Sequence, residues 1–309
     1  MLPLSSDILK NYQVRKTNKQ KESFIRLMQS HYPNLQIQTG GLMKSRNLIL
    51  GNIKDAEFIL TAHYDTCAQI PFPNFITPKN TLFYICYSLM IFIPIFILMV
   101  LFDILINHLT SNFWVAYFAN FLLYFLLCFV LLAGPPNKHT ANDNTSGVIT
   151  LCELYESLAP HERDRVCIVF FDNEENGLLG SRVFKKAYKK DMESKLLINF
   201  DCVSDGDYIL VAATASARKQ WNVFEHFASD GSKKALCEKA EKVFYPSDQH
   251  GFKNSVAIAA LKHKKVIGYY MDRIHTSRDT VFDEANIQYL CKSMTSFISA
   301  NVPSPANIQ

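Results

Sequence analysis

The sequence predicts an α/β fold of three layers, with helices on both faces of a mostly parallel mixed sheet. Short apolar runs of strand length alternate with amphipathic segments of helix length along the chain. Several of those runs end directly in His, Asp or Glu, as strands do where α/β proteins place their sites. Two long uncharged stretches, 81–102 and 113–133, interrupt the alternation. We therefore expect an inserted two-helix hairpin as well.

The composition is that of a globular protein with one unusually apolar region. A net charge of +4 is modest and gives no reason to expect a nucleic-acid partner. The eight cysteines form no C-x-x-C pair, and Cys86 and Cys128 lie inside apolar runs. This pattern indicates buried thiols in a reducing compartment rather than disulfides or a cysteine-type zinc site.

The N-terminal part predicts one helix and two strands. Apolar residues recur at helical spacing over residues 7–31, and Gly40-Gly41 breaks that pattern. Residues 47–50 and 57–62 have the composition of strands, with a turn beginning at Gly51-Asn52 between them. The second strand leads directly into the tripeptide His63-Tyr64-Asp65.

The two uncharged stretches are long enough to cross a bilayer as helices, which takes about 20 residues each. Aromatic residues cluster near several of their ends, as they do at membrane interfaces, and Pro94 is tolerated in a membrane helix. The polar linker 103–112 would join the spans, and the hairpin as a whole would occupy residues 79–136. The alternatives are two buried core helices or a hydrophobic dimerisation arm. The α/β domain would then consist of residues 1–78 and 137–309.

The C-terminal part continues the alternation of strands and helices. Val166–Phe171 is a continuous apolar run, typical of a strand buried on both faces, and it is followed by Asp172, Asn173, Glu174 and Glu175. The other predicted elements are a helix over 148–158, a basic helix over 181–190, strands over 195–200, 208–213 and 265–270, a mostly helical segment over 221–244 broken at Asp230-Gly231, and a final helix over 283–300.

His, Asp and Glu accumulate at the ends of these predicted strands. His63, Asp65, Glu174, Glu175 and Asp201 directly follow or end apolar runs. Two further candidates lie in loops, Asp143 before a helix and His275 before the last one. Imidazole and carboxylate donors without cysteine suit divalent ions, zinc first. The bland alternatives are a helix cap for Asp143 and solvated surface charges for the glutamates.

The ordered set of motifs resembles the co-catalytic zinc aminopeptidases, family twenty-eight of the metallopeptidases in clan MH. The resemblance covers nearly the whole chain outside the hairpin. The motifs are H-x-D at 63–65, A-N-D-N-x-S-G at 141–147, E-E-x-G-x-x-G-S at 174–181, Asp201 after a strand, S-D-x-H-x-F at 247–252 and I-H-T-x-x-D-T at 274–280.

The resemblance implies a zinc-exopeptidase-like fold and a site for two divalent ions, by default Zn²⁺. His63, Asp143 and Asp201 would hold the first ion; Asp143, Glu175 and His275 would hold the second, with Asp143 bridging them. Glu174 would be the general base, and Asp65 would accept the far ring N–H of His63. Asp279 would brace the His275 loop.

Substrate contacts are expected near residues 245–250. Asp248 and His250 stand where the family has a Ser-Asp-His segment, but Gln249 intervenes, which puts His250 in doubt. Tyr245 is a candidate oxyanion donor, since some relatives use a tyrosine there; the alternative is a buried aromatic residue.

The hairpin lies where relatives have a short loop, so its two ends must return to one site on the same side of the membrane. Lys79 and Lys138 flank the spans, and the linker between the spans has no Lys or Arg. With no signal peptide expected, the positive-inside rule favours a cytoplasmic catalytic domain. The bilayer would contact residues 81–133.

Together these features predict a membrane-anchored zinc peptidase, foremost an aminopeptidase, acting on peptides that are themselves membrane-associated. The alternatives are a glutaminyl-cyclase-like reaction with one zinc, carboxypeptidase or dipeptidase activity on the same fold, and a non-catalytic membrane interaction module. Two short spans without intramembrane charge argue against a transporter. The sequence leaves the oligomeric state and the side-chain preference open.

Overall fold

A mixed sheet organises the structure, a computed structural model that describes residues 1–227 and 233–302. Its strands are β1 (Gln36–Gly40), β2 (Ser45–Leu50), β3 (Phe58–His63), β4 (Val166–Phe171), β5 (Leu196–Phe200), β6 (Tyr208–Ala213), β7 (Lys234–Lys239), β8 (Ser255–Lys264) and β9 (Gly268–Tyr270). Their spatial order is β1-β2-β4-β3-β5-β8-β6-β7, with β9 paired to β8. The central strands β4, β3, β5 and β8 run parallel, whereas β2 is antiparallel to β4 and β6 to β8.

Helices cover both faces of this sheet. They are α1 (Pro3–Asn11), α2 (Asn18–His31), α3 (Thr81–Thr110), α4 (Phe113–Ala133), α5 (Gly147–Ser157), α6 (Pro160–Arg163), α7 (Leu179–Ala187), α8 (Ala215–Gln220) and α9 (Glu284–Asn301). Side chains of α1, α2, α5 and α9 share one hydrophobic core, and Phe184 of α7 lies in a second core on the opposite face. The predicted three-layer α/β/α fold is therefore confirmed.

Strand β4 shows why its run is continuously apolar. Ile168 and Phe170 contribute to the core under α5 and α9, while Cys167, Val169 and Phe171 contribute to the core under α7. Successive side chains of a strand point to opposite faces, so a strand covered on both faces needs apolar residues at every position. All of β4 is buried accordingly.

Some sequence-based boundaries were wrong. Residues 7–31 belong to two helices rather than one, because residues 12–17 are not helical; this connecting segment carries the buried Arg15. Strands β1 and β8 were not predicted; the apolar, alanine-containing run in β8 has no periodicity that separates a buried strand from a buried helix. The expected helix over 221–244 instead contains a 3₁₀ turn, Val223–His226, and strand β7. The expected break at Asp230-Gly231 lies outside the described residues.

Helices α3 and α4 pack against each other and extend away from the sheet. Both are long and apolar enough to cross a membrane, and almost none of their length is buried within the protein. Helix α3 continues to Thr110, so most of the expected linker 103–112 is helical and the turn is confined to Ser111-Asn112. Each helix begins at an asparagine cap: Asn80 accepts from the backbone of Phe83, and Asn112 from that of Trp114.

Candidate metal centre

The parallel strands deliver their terminal residues to one edge of the sheet. The register pairs His63, the last residue of β3, with Phe171, the last residue of β4. Asp172 to Glu175 follow β4, and Asp201 follows β5, which also runs parallel to β3. These side chains therefore meet beyond the carboxyl ends of the strands, where open α/β sheets bind their ligands. We call this side of the sheet the carboxyl edge.

His63, Asp143 and Asp201 form the first donor group. The Nε2 atom of His63 lies 3.3 Å from Oδ1 of Asp143 and 3.5 Å from Oδ1 of Asp201. All three side chains are buried. One imidazole nitrogen and two carboxylate oxygens that converge at this spacing are a donor set that zinc accepts.

His275 and Glu175 form a second donor group on the other side of Asp143. The Nε2 atom of His275 lies 3.0 Å from Oδ2 of Asp143 and 3.3 Å from Oε2 of Glu175. Oδ1 of Asp143 faces His63, so its two oxygens face different histidines. The other oxygen of Glu175, Oε1, is buried without a hydrogen-bond partner among the described residues. A buried, unpaired carboxylate oxygen is costly, and a cation at this position would satisfy it.

The Asp65 carboxylate holds the glutamate pair in place. Its Oδ1 accepts the backbone N–H of Glu174 over 3.0 Å, and its Oδ2 accepts that of Glu175 over 3.2 Å. The Nδ1 atom of His63 lies nearer to the backbone carbonyl oxygen of Asp65, at 3.1 Å, than to its carboxylate, at 3.7 Å. In this geometry the backbone of Asp65 orients the histidine, and its side chain orients the glutamates.

Asp279 does the same for the loop that carries Asp143. Its Oδ1 accepts the backbone N–H of Asn142 over 2.9 Å, and its Oδ2 accepts that of Asp143 over 3.0 Å. The peptide bond between Asp143 and Asn144 is cis. Asp279 lies four residues after His275, so the brace expected for the His275 loop joins that loop to the Asp143 loop.

The electrostatics are those of crowded acids around two histidines. Burial raises the pKa of Glu174 well above its ordinary value; His63 opposes this rise, and Glu175 adds to it. Burial also raises the pKa of Glu175 to about 7. For His275 burial acts to lower the pKa, but the carboxylates of Glu175 and Asp143 outweigh it and raise the pKa to about 10.

The three residues expected on the substrate side are placed differently from one another. Tyr245 is buried, and its hydroxyl donates to the backbone carbonyl of Asp201 over 3.0 Å. Asp248 is fully buried with both oxygens unpartnered among the described residues, and burial raises its pKa to about 7. His250 is exposed, while Gln249 binds Asn199 over 3.1 Å. Asp248 thus faces the metal-centre charges, and His250 faces solvent.

The N-terminal segment contacts the loops that carry the site residues, which the sequence did not reveal. The buried guanidinium of Arg15 donates to the backbone carbonyl of Tyr64 and, over 3.2 Å, to Oγ1 of Thr145. It thereby connects the loop after β3 with the loop that carries Asp143. Burial lowers the pKa of Arg15 to about 10.

Lys21 of α2 makes the corresponding contact with the loop after β4. Its Nζ lies 2.5 Å from Oδ1 of Asp172 and 2.7 Å from Oδ1 of Asn173, and both charged groups of the ion pair are buried. Asn173 precedes Glu174 directly and has a positive φ of 56°. A lysine in an amphipathic helix usually reaches solvent, so nothing in the sequence pattern distinguishes Lys21.

The sequence did not single out Cys67, and the structure gives a reason for Gly180, the second glycine of the E-E-x-G-x-x-G-S motif. The Sγ atom of Cys67 lies within 4.8 Å of the ligand atoms of Glu175 and His275. A Cβ at Gly180 would come within 2.2 Å of the backbone oxygen of Asp172 and 2.5 Å of Oδ1 of Asn47. This close approach explains why the E-E-x-G-x-x-G-S motif needs its second glycine: a side chain there would push the glutamate loop away from β4.

Comparisons with known structures agree with this fold. A Zn-dependent exopeptidase from Parabacteroides distasonis has a TM-score of 0.59 and 13% identity, over 96% of this chain and 94% of that chain. The glutaminyl cyclase of Porphyromonas gingivalis has a TM-score of 0.58 and 14% identity, over 97% of each chain. The LapA aminopeptidase of Legionella pneumophila has a TM-score of 0.55 and 12% identity, over 97% of this chain and 70% of that one. At these identities the likeness shows a shared fold.

Sequence comparison identifies the family. No curated protein sequence matches the chain significantly. A family model described as peptidase family M28 matches residues 129–294, which include Asp143, the glutamate pair, Asp201 and His275. More than half of the chain is matched. The chain therefore belongs to peptidase family M28, the zinc metallopeptidase family that its motifs resemble.

Proposed function

We propose that this protein is a membrane-anchored zinc aminopeptidase that uses two metal ions and Glu174 as its general base. The observation that carries the proposal is the position of the Asp143 carboxylate. Its Oδ1 lies 3.3 Å from Nε2 of His63, which also neighbours Asp201. Its Oδ2 lies 3.0 Å from Nε2 of His275, which also neighbours Glu175. Sites with two ions share a carboxylate in this way, with the ions about 3.5–4 Å apart.

The residues present fit two zinc ions. His63, Asp143 and Asp201 would hold one. Asp143, Glu175 and His275 would hold the other, since His275 lies beside both carboxylates and Oε1 of Glu175 has no hydrogen-bond partner among the described residues. When bound, such ions lower the pKa of water and polarise a carbonyl group. The residues of the chain must then orient the donors and move the protons.

Glu174 is the residue assigned to proton transfer. It neighbours both His63 and Glu175, and burial already raises its pKa, which suits a group that takes up a proton and releases it again. Its carboxylate would accept a proton from the attacking water and pass it to the leaving amine. The bond from its backbone N–H to Asp65 keeps the side chain facing the donors. Asp248, which is buried and accepts no hydrogen bond from the residues that the structure describes, would bind the substrate side of this pocket.

A second candidate reaction is glutaminyl cyclisation with a single zinc. The structural likeness to the cyclase of Porphyromonas gingivalis, which extends over 97% of each chain, favours it as the alternative. Cyclisation joins the N-terminal amine of a glutamine to its side-chain carbonyl carbon and releases the side-chain amide nitrogen as ammonia, without hydrolysis. The two proposals therefore differ in metal count and in product, and both can be measured on the same sample.

We infer further that α3 and α4 anchor the protein in a bilayer. Their apolar side chains are exposed, for example Phe96 at 67% and Leu122 at 70%, which water would penalise and hydrocarbon would not. The insert would extend from 79 to 136, with the peptidase domain formed by 1–78 and 137–309. Lys79 and Lys138 support a cytoplasmic location of that domain.

The test is peptide hydrolysis by the detergent-purified protein supplied with zinc. Free peptides and their N-acetylated counterparts are compared, for the native chain and for Glu174→Gln. We expect stepwise removal of N-terminal residues from the free peptides alone, and no turnover by the variant at unchanged metal content. Cleavage from the carboxyl end, or pyroglutamate formation from N-terminal glutamine without hydrolysis, would replace the aminopeptidase assignment.

A further inference from the structure

The base of the α3–α4 hairpin is hydrogen-bonded to the metal-centre loops. The backbone N–H of Gln69 donates to Pro135, and that of Ile70 donates to the carbonyl of His275, each over 2.9 Å. On the other side, the side-chain amide of Asn80 donates to the carbonyl of Ile267 over 2.9 Å. The hairpin therefore leaves the protein from the same edge of the sheet as the metal centre, within a few residues of His275.

Two other turns at this edge expose apolar side chains. Leu42 and Met43, between β1 and β2, are 98% and 61% exposed, and Val266, between β8 and β9, is 84% exposed. Strand β2 is antiparallel to β4, so the turn before it lies at the carboxyl edge; β8 is parallel to β5, so the turn after it lies there too. Single exposed apolar residues are common on protein surfaces, so these turns are informative through their position at the edge from which the hairpin leaves.

The turns lie on either side of the strand that leads toward the hairpin. In the strand order β2-β4-β3-β5-β8, each turn belongs to a strand two places away from β3, the strand that leads toward the hairpin. At the usual spacing of strands this is roughly 10 Å to either side. The two turns and the hairpin base therefore lie along one edge rather than around the molecule.

Lysines accompany the apolar tips. Lys44 follows Met43, Lys264 and Lys265 precede Val266, and all three are exposed. The ion pairs among the described residues do not include them. Apolar tips beside lysines match a bilayer interface, where acyl chains begin and anionic headgroups attract cations. Phe244 is 46% exposed, and its ring centroid lies 5.5 Å from that of Tyr84 on α3. It adds an aromatic residue at the level where membrane proteins place their interfacial aromatic belts.

We propose that the carboxyl edge docks on an anionic membrane surface through the turns 42–44 and 264–266, so that the metal centre opens at the lipid headgroups. The proposal rests on the membrane anchoring proposed above. It narrows the substrate class to peptides whose N-termini lie at the bilayer surface. Continuity with the hairpin and the charge of the lysines favour lipid over a protein partner as the occupant of these turns.

Photo-crosslinking of the full-length protein in nanodiscs tests this. p-Benzoylphenylalanine replaces Leu42 or Val266, with Lys54 as a control in the exposed turn at the opposite edge of the sheet and Leu98 as a reference within α3. Nanodiscs contain phosphatidylcholine alone or with about 30% phosphatidylglycerol, a fraction of anionic lipid chosen to give a negative surface. Lipid adducts are read by mass spectrometry.

We expect lipid adducts at 42, 266 and 98 but not at 54, with higher yields at 42 and 266 in the anionic nanodiscs. Lys264→Glu combined with Lys265→Glu should lower the yield at 266 by roughly fivefold or more, since each lysine contributes about that factor near an anionic surface. Lys189→Glu with Lys190→Glu, an equal charge change beyond α7, should leave it unchanged. Adducts at 98 without adducts at 42 and 266 overturn the docking and leave the anchoring intact. No adduct at 98 refutes the anchoring itself, and protein–protein adducts at 42 or 266 would assign these turns to a partner instead.

Discussion

The carboxylate of Asp65 accepts the backbone N–H of Glu174 over 3.0 Å, although the two residues are 109 positions apart. A residue two positions after a histidine of the metal centre thereby sets the position of the proposed base. Asp279 makes the equivalent contact with the backbone of Asp143. The site is thus built from loops that are fixed to one another by buried carboxylates, rather than from independent strand ends.

Asp65→Asn tests this link. An amide offers one oxygen where the carboxylate offers two, so one of the N–H groups of Glu174 and Glu175 would face an amide donor. We expect activity to fall by about 10- to 100-fold, the usual effect of losing a residue that orients a metal site. Asp164→Asn, an exposed change of the same type, should leave activity unaltered. Full activity in Asp65→Asn would show that the backbone of Glu174 needs no such support.

Asp143→Ala should lower metal binding at both donor groups. Each of its oxygens faces a different histidine, so in the proposed two-ion site its loss removes a ligand from both groups. Asp201→Ala, which removes a ligand from the first group only, should leave one ion bound. The two variants are distinguished by the number of metal ions per chain, which is measured by plasma mass spectrometry after gel filtration. Loss of a single ion in Asp143→Ala would contradict a bridging role.

Lys21→Met should destabilise the protein by about 3–5 kcal/mol, since it leaves Asp172 buried without its cation. The loop that carries Glu174 follows Asp172, so activity should fall at temperatures where the protein remains folded. The matched control is Lys19→Met, an exposed lysine on the same helix. Chemical denaturation and activity are measured side by side; equal stabilities of the two variants would contradict the buried pair.

The metal-free protein should lose stability as the pH rises. A group whose folded pKa is raised contributes its full stability below its unfolded pKa and loses it as the pH passes the folded value. For His275 this window extends from about 6.5 to about 10, and the raised pKa of Glu175 has the same sign up to about 7.

Metal binding should show the opposite trend, because ions displace these protons. Zinc affinity should therefore rise with pH, and binding should release protons. Calorimetry in buffers of different ionisation enthalpy measures the release, and thermal unfolding with and without zinc between about pH 6 and 9 measures the stability. In His275→Gln, both the stability of the metal-free protein and its zinc affinity should change less with pH. An unchanged pH dependence of both would refute the assignment to His275.

Replacing residues 81–133 by a short Gly-Ser loop should give a protein that remains in solution without detergent. Pro135 and Asn137 stay in place because they bind Gln69 and Cys67. Activity on short soluble peptides should persist, whereas activity on peptides anchored to vesicles should fall. An equal change on both substrates would show that the hairpin has no part in presenting the substrate.

Much of the fold was predictable because its causes are local. The doubly covered strand β4 needs apolar residues at every position, and α9 needs an apolar face, so both are visible as patterns in the sequence. Strand β8 was not, since an apolar run with alanines is compatible with a buried helix as well. The prediction of a helical segment over 221–244 failed for another reason. Strand β7 lies at the edge of the sheet and has few apolar residues, so its pairing with β6, rather than any pattern in the sequence, makes it a strand.

The sequence by itself determined which side chains the candidate site contains. Histidines and carboxylates at the ends of apolar runs are recognisable residue by residue, and His63, Asp143, Glu175, Asp201 and His275 do converge. Only the tertiary structure decided which residues hold them in place. Arg15 donates to Tyr64 and Thr145, and Lys21 donates to Asp172. Asp65 accepts the backbone N–H of Glu174. These contacts join residues far apart in the chain, and strand register and helix packing bring them together. No periodicity or spacing in the chain encodes that geometry. A lysine or arginine has the same place in the sequence pattern whether its side chain is exposed or buried against a carboxylate, and only the packing of distant segments decides between the two.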